Sequence, residues 1–336
     1  MRDLIEKISR GAALSLEEAR RAALEMLRGV DEVVAAALLM GMRVRGESSE
    51  EIAGFAGALR ETCVRIELGE LARSAVDTAG TGGDGLRTLN ASTAAALVAA
   101  YLGAVVVKHG NRSVSSSSGS ADFIEALGFE LSAPPERLSR MARELRFAFA
   151  FAPSHHVAMR NVMSVRRRLG VRTIFNLAGP LSNPAFVSRQ VIGVAERSLL
   201  ERVAEAASLL GYDLALVVHG EPGVDEVSVF GATEVVEVRR GSIERFALTP
   251  ADLGLRKREL GEVRVESARH SVERFRRAVL GSDEAARDFI AANAAAALYV
   301  AGIAKDLRDG VELALSRMDG GLLSYVDELA EASRSL

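Results

Sequence analysis

The chain has 336 residues, 49% of them hydrophobic, enough to bury a large core and to divide into a smaller and a larger unit. A formal net charge of −3 excludes the general basic surface of a dedicated nucleic-acid binder, and the single cysteine, Cys63, excludes internal disulfides and cysteine-rich metal sites. The charged N-terminus carries no signal peptide, and the longest apolar stretch, 94–107, falls short of the roughly 20 residues of a membrane span, so a soluble cytoplasmic protein is expected.

The first 65 residues predict helices only. Ser15 with Glu18 and Ser48 with Glu51 fit capping boxes, and Asp31 can cap a helix between them. Leu16, Ala19, Ala23, Leu24 and Leu27 share one helical stripe, as do Val33, Ala37, Leu38 and Met42. From Val76 the pattern changes to strand–loop–helix units. Apolar runs at 104–107, 190–195 and 214–218 predict a largely parallel sheet, with further strands at 224–229 and 233–239. From Ser271 onward the chain returns to helices. The fold class is therefore α/β: a small all-helical N-terminal domain plus a large α/β domain with a mainly parallel central sheet.

The first chemical signal is the run Val76-Asp77-Thr78-Ala79-Gly80-Thr81-Gly82-Gly83-Asp84-Gly85, closed by Asn90-Ala91-Ser92-Thr93. A loop this poor in Cβ atoms lets backbone N–H groups converge on an anion, and the following helix N-terminus adds positive potential. It matches neither the Walker pattern nor the dinucleotide fingerprint, so the expected ligand is a phosphate outside those two classes.

A second segment, Lys108 to Asp122, leaves a buried strand with cations, an amide and many hydroxyls. Lysine occurs only four times among 42 lysines and arginines, so Lys108 reads as a retained compact point charge. A third segment, 217–227, places Asp225 and Glu226 after a strand and a turn. By itself such a pair is more often a solvated turn; it also suits a hard cation, since Mg²⁺ takes one or two carboxylates, keeps water, and uses substrate phosphates for the remainder. In the fourth, 151–184, His155 and His156 lack the spaced partners of a zinc site. Two of Arg166, Arg167 and Arg168 are expected on a solvated helix face; one turned inward could hold a carboxylate. Glutamine occurs once, at Gln190.

Together, residues 80–85, 90–93, 108–116, 119–122, 172–176 and 220–226 resemble the anthranilate phosphoribosyltransferase family, in order and over most of the chain. The resemblance implies a fold shared with pyrimidine nucleoside phosphorylases and a homodimer formed through a helical domain, residues 1–66 joined by helices from about 155–185, with an α/β domain over 67–336. It implies transfer of phosphoribose from phosphoribosyl pyrophosphate to the amine of anthranilate, the second step of tryptophan synthesis. By resemblance, Gly80, Gly83, Asp84, Thr88, Asn90, Ala91, Ser92, Thr93, Lys108, His109, Gly110, Asn111, Arg112, Ser113, Val114, Ser115, Ser116 and Ser120 surround the phosphoribosyl pyrophosphate. Ser92, Asp225 and Glu226 hold Mg²⁺, as one or two ions. Gly80, Asn111 and Arg166 meet anthranilate, and His109, Gly179 and Pro180 line its pocket.

Three departures from the family pattern stand out: Ser117 replaces a frequent lysine, Arg87 occupies a spot usually small or neutral, and Val157 replaces a usual proline. Two other readings share the fold. A nucleoside phosphorylase has no pyrophosphate–Mg²⁺ complex for the two carboxylates to hold. A nucleic-acid-binding relative would show a basic surface and degraded metal residues.

Overall fold

The computed structural model describes residues 1–112 and 118–335. Helices α1 (Arg2–Ser9), α2 (Leu16–Arg28), α3 (Glu32–Arg45) and α4 (Ser49–Thr62) come first. Ser15 and Ser48 form both capping boxes with Glu18 and Glu51, and Asp31 accepts from the Val33 and Val34 N–H groups. Glu51 does more than cap. Fully buried, it also accepts from the Leu14 N–H at 2.9 Å and pairs with Arg45, so one carboxylate joins the approach to α2, the end of α3 and the start of α4.

The chain then forms β1 (Val76–Asp77), α5 (Ala91–Tyr101), β2 (Val106–Gly110), α6 (Ser120–Ala126), α7 (Pro135–Glu144) and β3 (Phe147–Phe151). Helices α8 (Ala152–His155), α9 (Arg160–Leu169) and α10 (Ile174–Ala178) lead to β4 (Arg189–Gly193). After α11 (Leu200–Leu209) come β5 (Leu214–Gly220), β6 (Thr233–Arg239) and β7 (Ser242–Leu248). Helices α12 (Ala268–Val279), α13 (Glu284–Ala301), α14 (Leu307–Arg317) and α15 (Gly320–Ser335) complete the described chain.

The seven strands lie in the order β3-β2-β1-β4-β5-β6-β7, parallel from β3 to β5 and antiparallel beyond. The chain lays β1, β2 and β3 outward in one direction, then returns to place β4 on the free side of β1. Open α/β sheets bind ligands outside the carboxyl ends of the strands at such a reversal. The glycine loop leaves β1 at that point.

Residues alternate between two apolar clusters across the sheet. Leu214, Leu216 and Val218 join the cluster containing α5 and α13, while Ala215 and Val217 face Leu38, Phe55, Phe175 and Val203. The second cluster runs unbroken from α1–α4 through α9, α10 and α11 onto the sheet, with the Phe55 and Phe175 rings meeting edge to face at 5.2 Å.

One strand expectation needs correction, and two strands stand where none is expected. The run 224–229 is not a strand: apart from a bridge between Val224 and Gly220, its Val227 and Ser228 N–H groups go to the side chains of Asn293 and Thr233. Strand β3, Phe-Ala-Phe-Ala-Phe, escapes a search for β-branched runs because alanine carries no strand preference. Strand β7 escapes because it is an exposed edge with charges along it. No described helix is long and apolar enough to cross a membrane.

Candidate active site

Asp77 ends β1 and is wholly buried. Its Oδ1 accepts from the N–H groups of Thr78 at 2.7 Å, Ala79 at 3.0 Å and His109 at 3.1 Å; its Oδ2 accepts from the Asn183 amide at 2.8 Å. One carboxylate thus draws the stem of the glycine loop against the end of β2. Burial raises its pKa to about 6, with Lys108 opposing the rise. Beyond it Gly82, Gly83 and Gly85 adopt φ of 62°, 81° and 71°, a region side chains rarely enter. Gly80 is required for a different reason: a Cβ there would lie 2.8 Å from the Gly193 carbonyl oxygen on β4.

The loop after β5 meets this bend. The Gly82 N–H donates to Asp225 Oδ2 at 2.8 Å, and the Ser92 N–H, in the first turn of α5, donates to Glu226 Oε1 at 2.9 Å. Gly193 permits the approach, since a Cβ on it would fall 1.5 Å from the Asp225 carbonyl oxygen. Burial and the neighbouring Asp225 push Asp84 up to about 6. Burial and Asp225 likewise drive Glu226 well above the usual carboxylate range. Asp225 is itself raised by burial, with the Gly82 N–H and Arg172 opposing. Carboxylates crowded in this way favour any positive charge brought among them.

These residues fit a divalent cation. Glu226 Oε2 is buried without a hydrogen-bond partner among the described residues, and Glu226, Asp225, Ser92 and Thr78 line a cavity of about 10 Å³, room for one water-sized sphere. The donors are all oxygens, the set Mg²⁺ selects. Among the described residues no three His, Cys, Asp or Glu side chains group closely enough to hold a metal, so a bound Mg²⁺ would draw further oxygen ligands from water and substrate.

Lys108 is buried at the floor of the site. Its Nζ donates to the Thr78 carbonyl at 3.0 Å and hydroxyl at 2.9 Å, and burial lowers its pKa to about 8 against the pull of Asp77, Glu226 and Asp225. Asn90 ties the first loop to the second: its amide donates to the Ser118 carbonyl at 3.3 Å and accepts from the Ser118 hydroxyl at 2.8 Å. Gly110 is pressed between Ser120 and Phe149, and the Asn111 carbonyl accepts from the Ser120 hydroxyl at 3.3 Å. Thr88 bridges to Arg264, and the Thr93 hydroxyl is buried without a partner among the described residues. The Ala91 N–H turns back on the Leu89 carbonyl at 2.7 Å. Arg112 turns outward, pairing with Asp122 and Glu125 at 2.9 and 2.7 Å. Ser113, Val114, Ser115, Ser116 and Ser117 lie outside the described residues. Arg87 is exposed, with its backbone at φ 56°.

The opposite wall comes from α9, α10 and the turn after them. Arg167 and Arg168 are exposed, Arg168 pairing with Glu32 at 2.6 Å. Arg166 is the one turned inward: its guanidinium lies 5.6 Å from the Phe175 ring centre and donates to Asn176 Oδ1 at 3.3 Å. It has no carboxylate partner among the described residues. Beyond it the His109 and His156 rings lie 5.0 Å apart, and burial lowers both pKa values, that of His156 to about 4, so both are neutral at pH 7. His155 donates from Nδ1 to the Val64 carbonyl at 2.7 Å. The histidines left without partners in the sequence find backbone ones: His219 bonds the Val194 carbonyl at 2.9 Å, and His270 accepts from the Glu266 N–H at 3.4 Å.

Sequence reasoning gave no role to Asp77, Arg172, Asn183, Gln190 or Asn293. Gln190 is fully buried and donates to both the Ala79 carbonyl at 3.0 Å and the Pro180 carbonyl at 2.9 Å, joining the glycine-loop stem to the Gly179–Pro180 turn. Its oxygen accepts from Tyr212, which accepts from Arg60 on α4, both at 2.8 Å. Arg172 reaches the Thr81 carbonyl at 3.4 Å. Two signals were available: a charged residue ending a buried strand, and a lone glutamine.

The helical bundle and the α/β domain, with an acidic oxygen-lined cavity where its sheet reverses, match the two-domain architecture of a glycosyl transferase. Residues 2–63 match the glycosyl transferase family helical bundle domain and residues 72–322 match the glycosyl transferase family a/b domain. Anthranilate phosphoribosyltransferase from Caldivirga maquilingensis is 60% identical over 99% of both chains. The crystal structure of the Thermus thermophilus enzyme of that name superposes with a TM-score of 0.91 at 41% identity, covering 99% of this chain and 100% of the other. The Saccharomyces cerevisiae enzyme in complex with phosphoribosyl pyrophosphate and Mg superposes with a TM-score of 0.88 at 26% identity, covering 99% and 98%. The chain belongs to the anthranilate phosphoribosyltransferase family.

Proposed function

We propose that the chain transfers the phosphoribosyl group from phosphoribosyl pyrophosphate to the amine of anthranilate, releasing pyrophosphate and giving N-(5-phosphoribosyl)anthranilate for tryptophan synthesis. One observation carries this reading: the Asp225–Glu226 pair touches the glycine bend at Gly82 and the helix start at Ser92. Mg²⁺, as one or two ions, is held by Ser92, Asp225 and Glu226, with Asp84 beside them. When bound, it supplies positive charge to the departing pyrophosphate.

The protein groups act by position and field. Glycine-loop N–H groups and the start of α5 stabilise charge on the leaving phosphates while the ribose becomes oxocarbenium-like. Arg166, free of any carboxylate among the described residues, takes the anthranilate carboxylate through paired N–H donors and sets the amine against the sugar. The amine is neutral at pH 7, so its lone pair forms the C–N bond as the C–O bond to pyrophosphate breaks, and the nitrogen loses its proton afterwards. No strong general base is needed. The neutral rings of His109 and His156, with Gly179 and Pro180, give the aromatic acceptor an apolar wall.

The reading extends to a cytoplasmic homodimer through residues 1–66 and the helices of about 155–185, with 67–336 as the α/β domain. Val33 and Val44 on α3, 75% and 81% exposed, support such an interface. The experiment is direct: loss of anthranilate fluorescence on adding phosphoribosyl pyrophosphate and Mg²⁺. Absence of that loss, with phosphorolysis of thymidine or uridine instead, replaces the reading by a nucleoside phosphorylase.

A further inference from the structure

Asn293 stands in the middle of α13, where residues 290–298 are otherwise alanine, isoleucine and leucine. A buried amide in an alanine helix needs a reason, because each unmet donor or acceptor there is costly. Asn293 is 4% exposed and fully used: Oδ1 accepts from the Val227 N–H at 2.9 Å, and Nδ2 donates to the Val227 carbonyl at 3.0 Å and the Phe289 carbonyl at 2.9 Å. The residue it grips by both backbone groups immediately follows Glu226. Asn293 also lines the same small cavity as Ser92, Asp225 and Glu226.

Holding the N–H and the carbonyl of one residue fixes the orientation of its peptide planes, and so the direction in which the preceding side chain leaves the backbone. The loop has no strand ladder to do this work, since Val227 bonds to a side chain where a strand residue would bond to its neighbour. We infer that Asn293 is a positioning residue for the Asp225–Glu226 pair, and that its clamp on Val227 sets the affinity of the site for a divalent cation. The inference rests on the proposed reading of those carboxylates as Mg²⁺ ligands.

The test uses the full chain and the variants Asn293→Ala and Asn293→Ser, with Leu298→Ala on the same helix as a control for general loosening. Two quantities are read: half-saturating Mg²⁺ for anthranilate consumption, and Mn²⁺ binding by electron paramagnetic resonance in the presence of pyrophosphate, which needs no turnover. Asn293→Ala should weaken both metal constants about tenfold or more, the usual effect of removing an outer partner of a metal ligand. The KM for anthranilate should stay near wild type. Asn293→Ser should fall between, and it decides the matter if the alanine variant does not fold. Leu298→Ala should lower the Tm and leave the metal constants alone. Unchanged metal constants in the Asn293 variants, or an equal shift in Leu298→Ala, would overturn the inference. Wild-type protein that binds no Mn²⁺ with pyrophosphate would instead overturn the metal reading beneath it.

Discussion

Glu226, whose buried Oε2 has no partner among the described residues, and Asp225, held by the Gly82 N–H, are the two side chains on which the proposed chemistry turns. Asp225→Asn combined with Glu226→Gln keeps both shapes and removes both charges. Turnover should drop about a hundredfold or more, the scale of losing preorganised charge stabilisation, with a much smaller change in KM for either substrate. Steady-state kinetics at saturating Mg²⁺ measure this, and unchanged rates would refute the assignment. Arg166→Ala should raise the KM for anthranilate about tenfold or more, the worth of a charged hydrogen-bonded pair, and leave that for phosphoribosyl pyrophosphate alone. Arg167→Ala should change neither. Protonated carboxyls cannot bind a cation, and Asp84 is raised by burial and by Asp225 to about 6. Metal binding therefore expels protons: the half-saturating Mg²⁺ should already climb with falling pH above 6, because the Glu226 carboxyl is held well above the usual range. It should steepen by up to about tenfold per unit once pH falls through about 6 and Asp84 also takes up a proton. A flat Mg²⁺ constant between pH 7 and 5 would remove Asp84 from the site.

At the level of elements, the site exists because β4 passes close under two loops. Gly193 ends that strand, and a Cβ on it would collide with the Asp225 carbonyl oxygen, a backbone atom that has no rotamer with which to escape. Gly193→Ala should thus displace the acidic loop while leaving the sheet paired: the circular dichroism spectrum is expected to match wild type, and activity and Mn²⁺ binding to fall together. Wild-type activity in this variant would mean that the loop adapts. Gln190 belongs to the same strand and ties the glycine-loop stem to the Pro180 turn. β4 therefore positions both halves of the site, one with a missing side chain and one with a fully bonded amide.

Across the whole molecule, one apolar cluster runs from the N-terminal helices through α9 and α10 to a face of the sheet. The arginine helix α9 is anchored to the bundle by Val162 and Val165, so the position of Arg166 depends on bundle packing. The proposed dimer is tested by light scattering, which should give twice the chain mass. Replacing Val33 and Val44 together by glutamate should halve it, because two carboxylates would be buried without partners. A variant that stays dimeric would place the interface away from the outer face of α3.

Local signals were legible in the chain because the forces behind them act over a few residues. The caps at Ser15, Asp31 and Ser48 reach two or three positions along, and the glycine loop declares its backbone by composition. Three arginines in a row announced a helix face, and the anchoring of that helix by Val162 and Val165 turns Arg166 inward, against Phe175. Val224–Val229 had strand composition, yet beyond one bridge at Val224 its Val227 and Ser228 N–H groups found side chains in place of a neighbouring strand. The contacts that make a site of these pieces join residues 143, 134, 106 and 66 apart: Gly82 to Asp225, Ser92 to Glu226, Asp77 to Asn183, and Asn293 to Val227. Such pairs carry no local periodicity, because their partners are chosen by strand order in the sheet. Residue types supplied the chemistry, and the reversal of the sheet at β1 brought them within bonding distance.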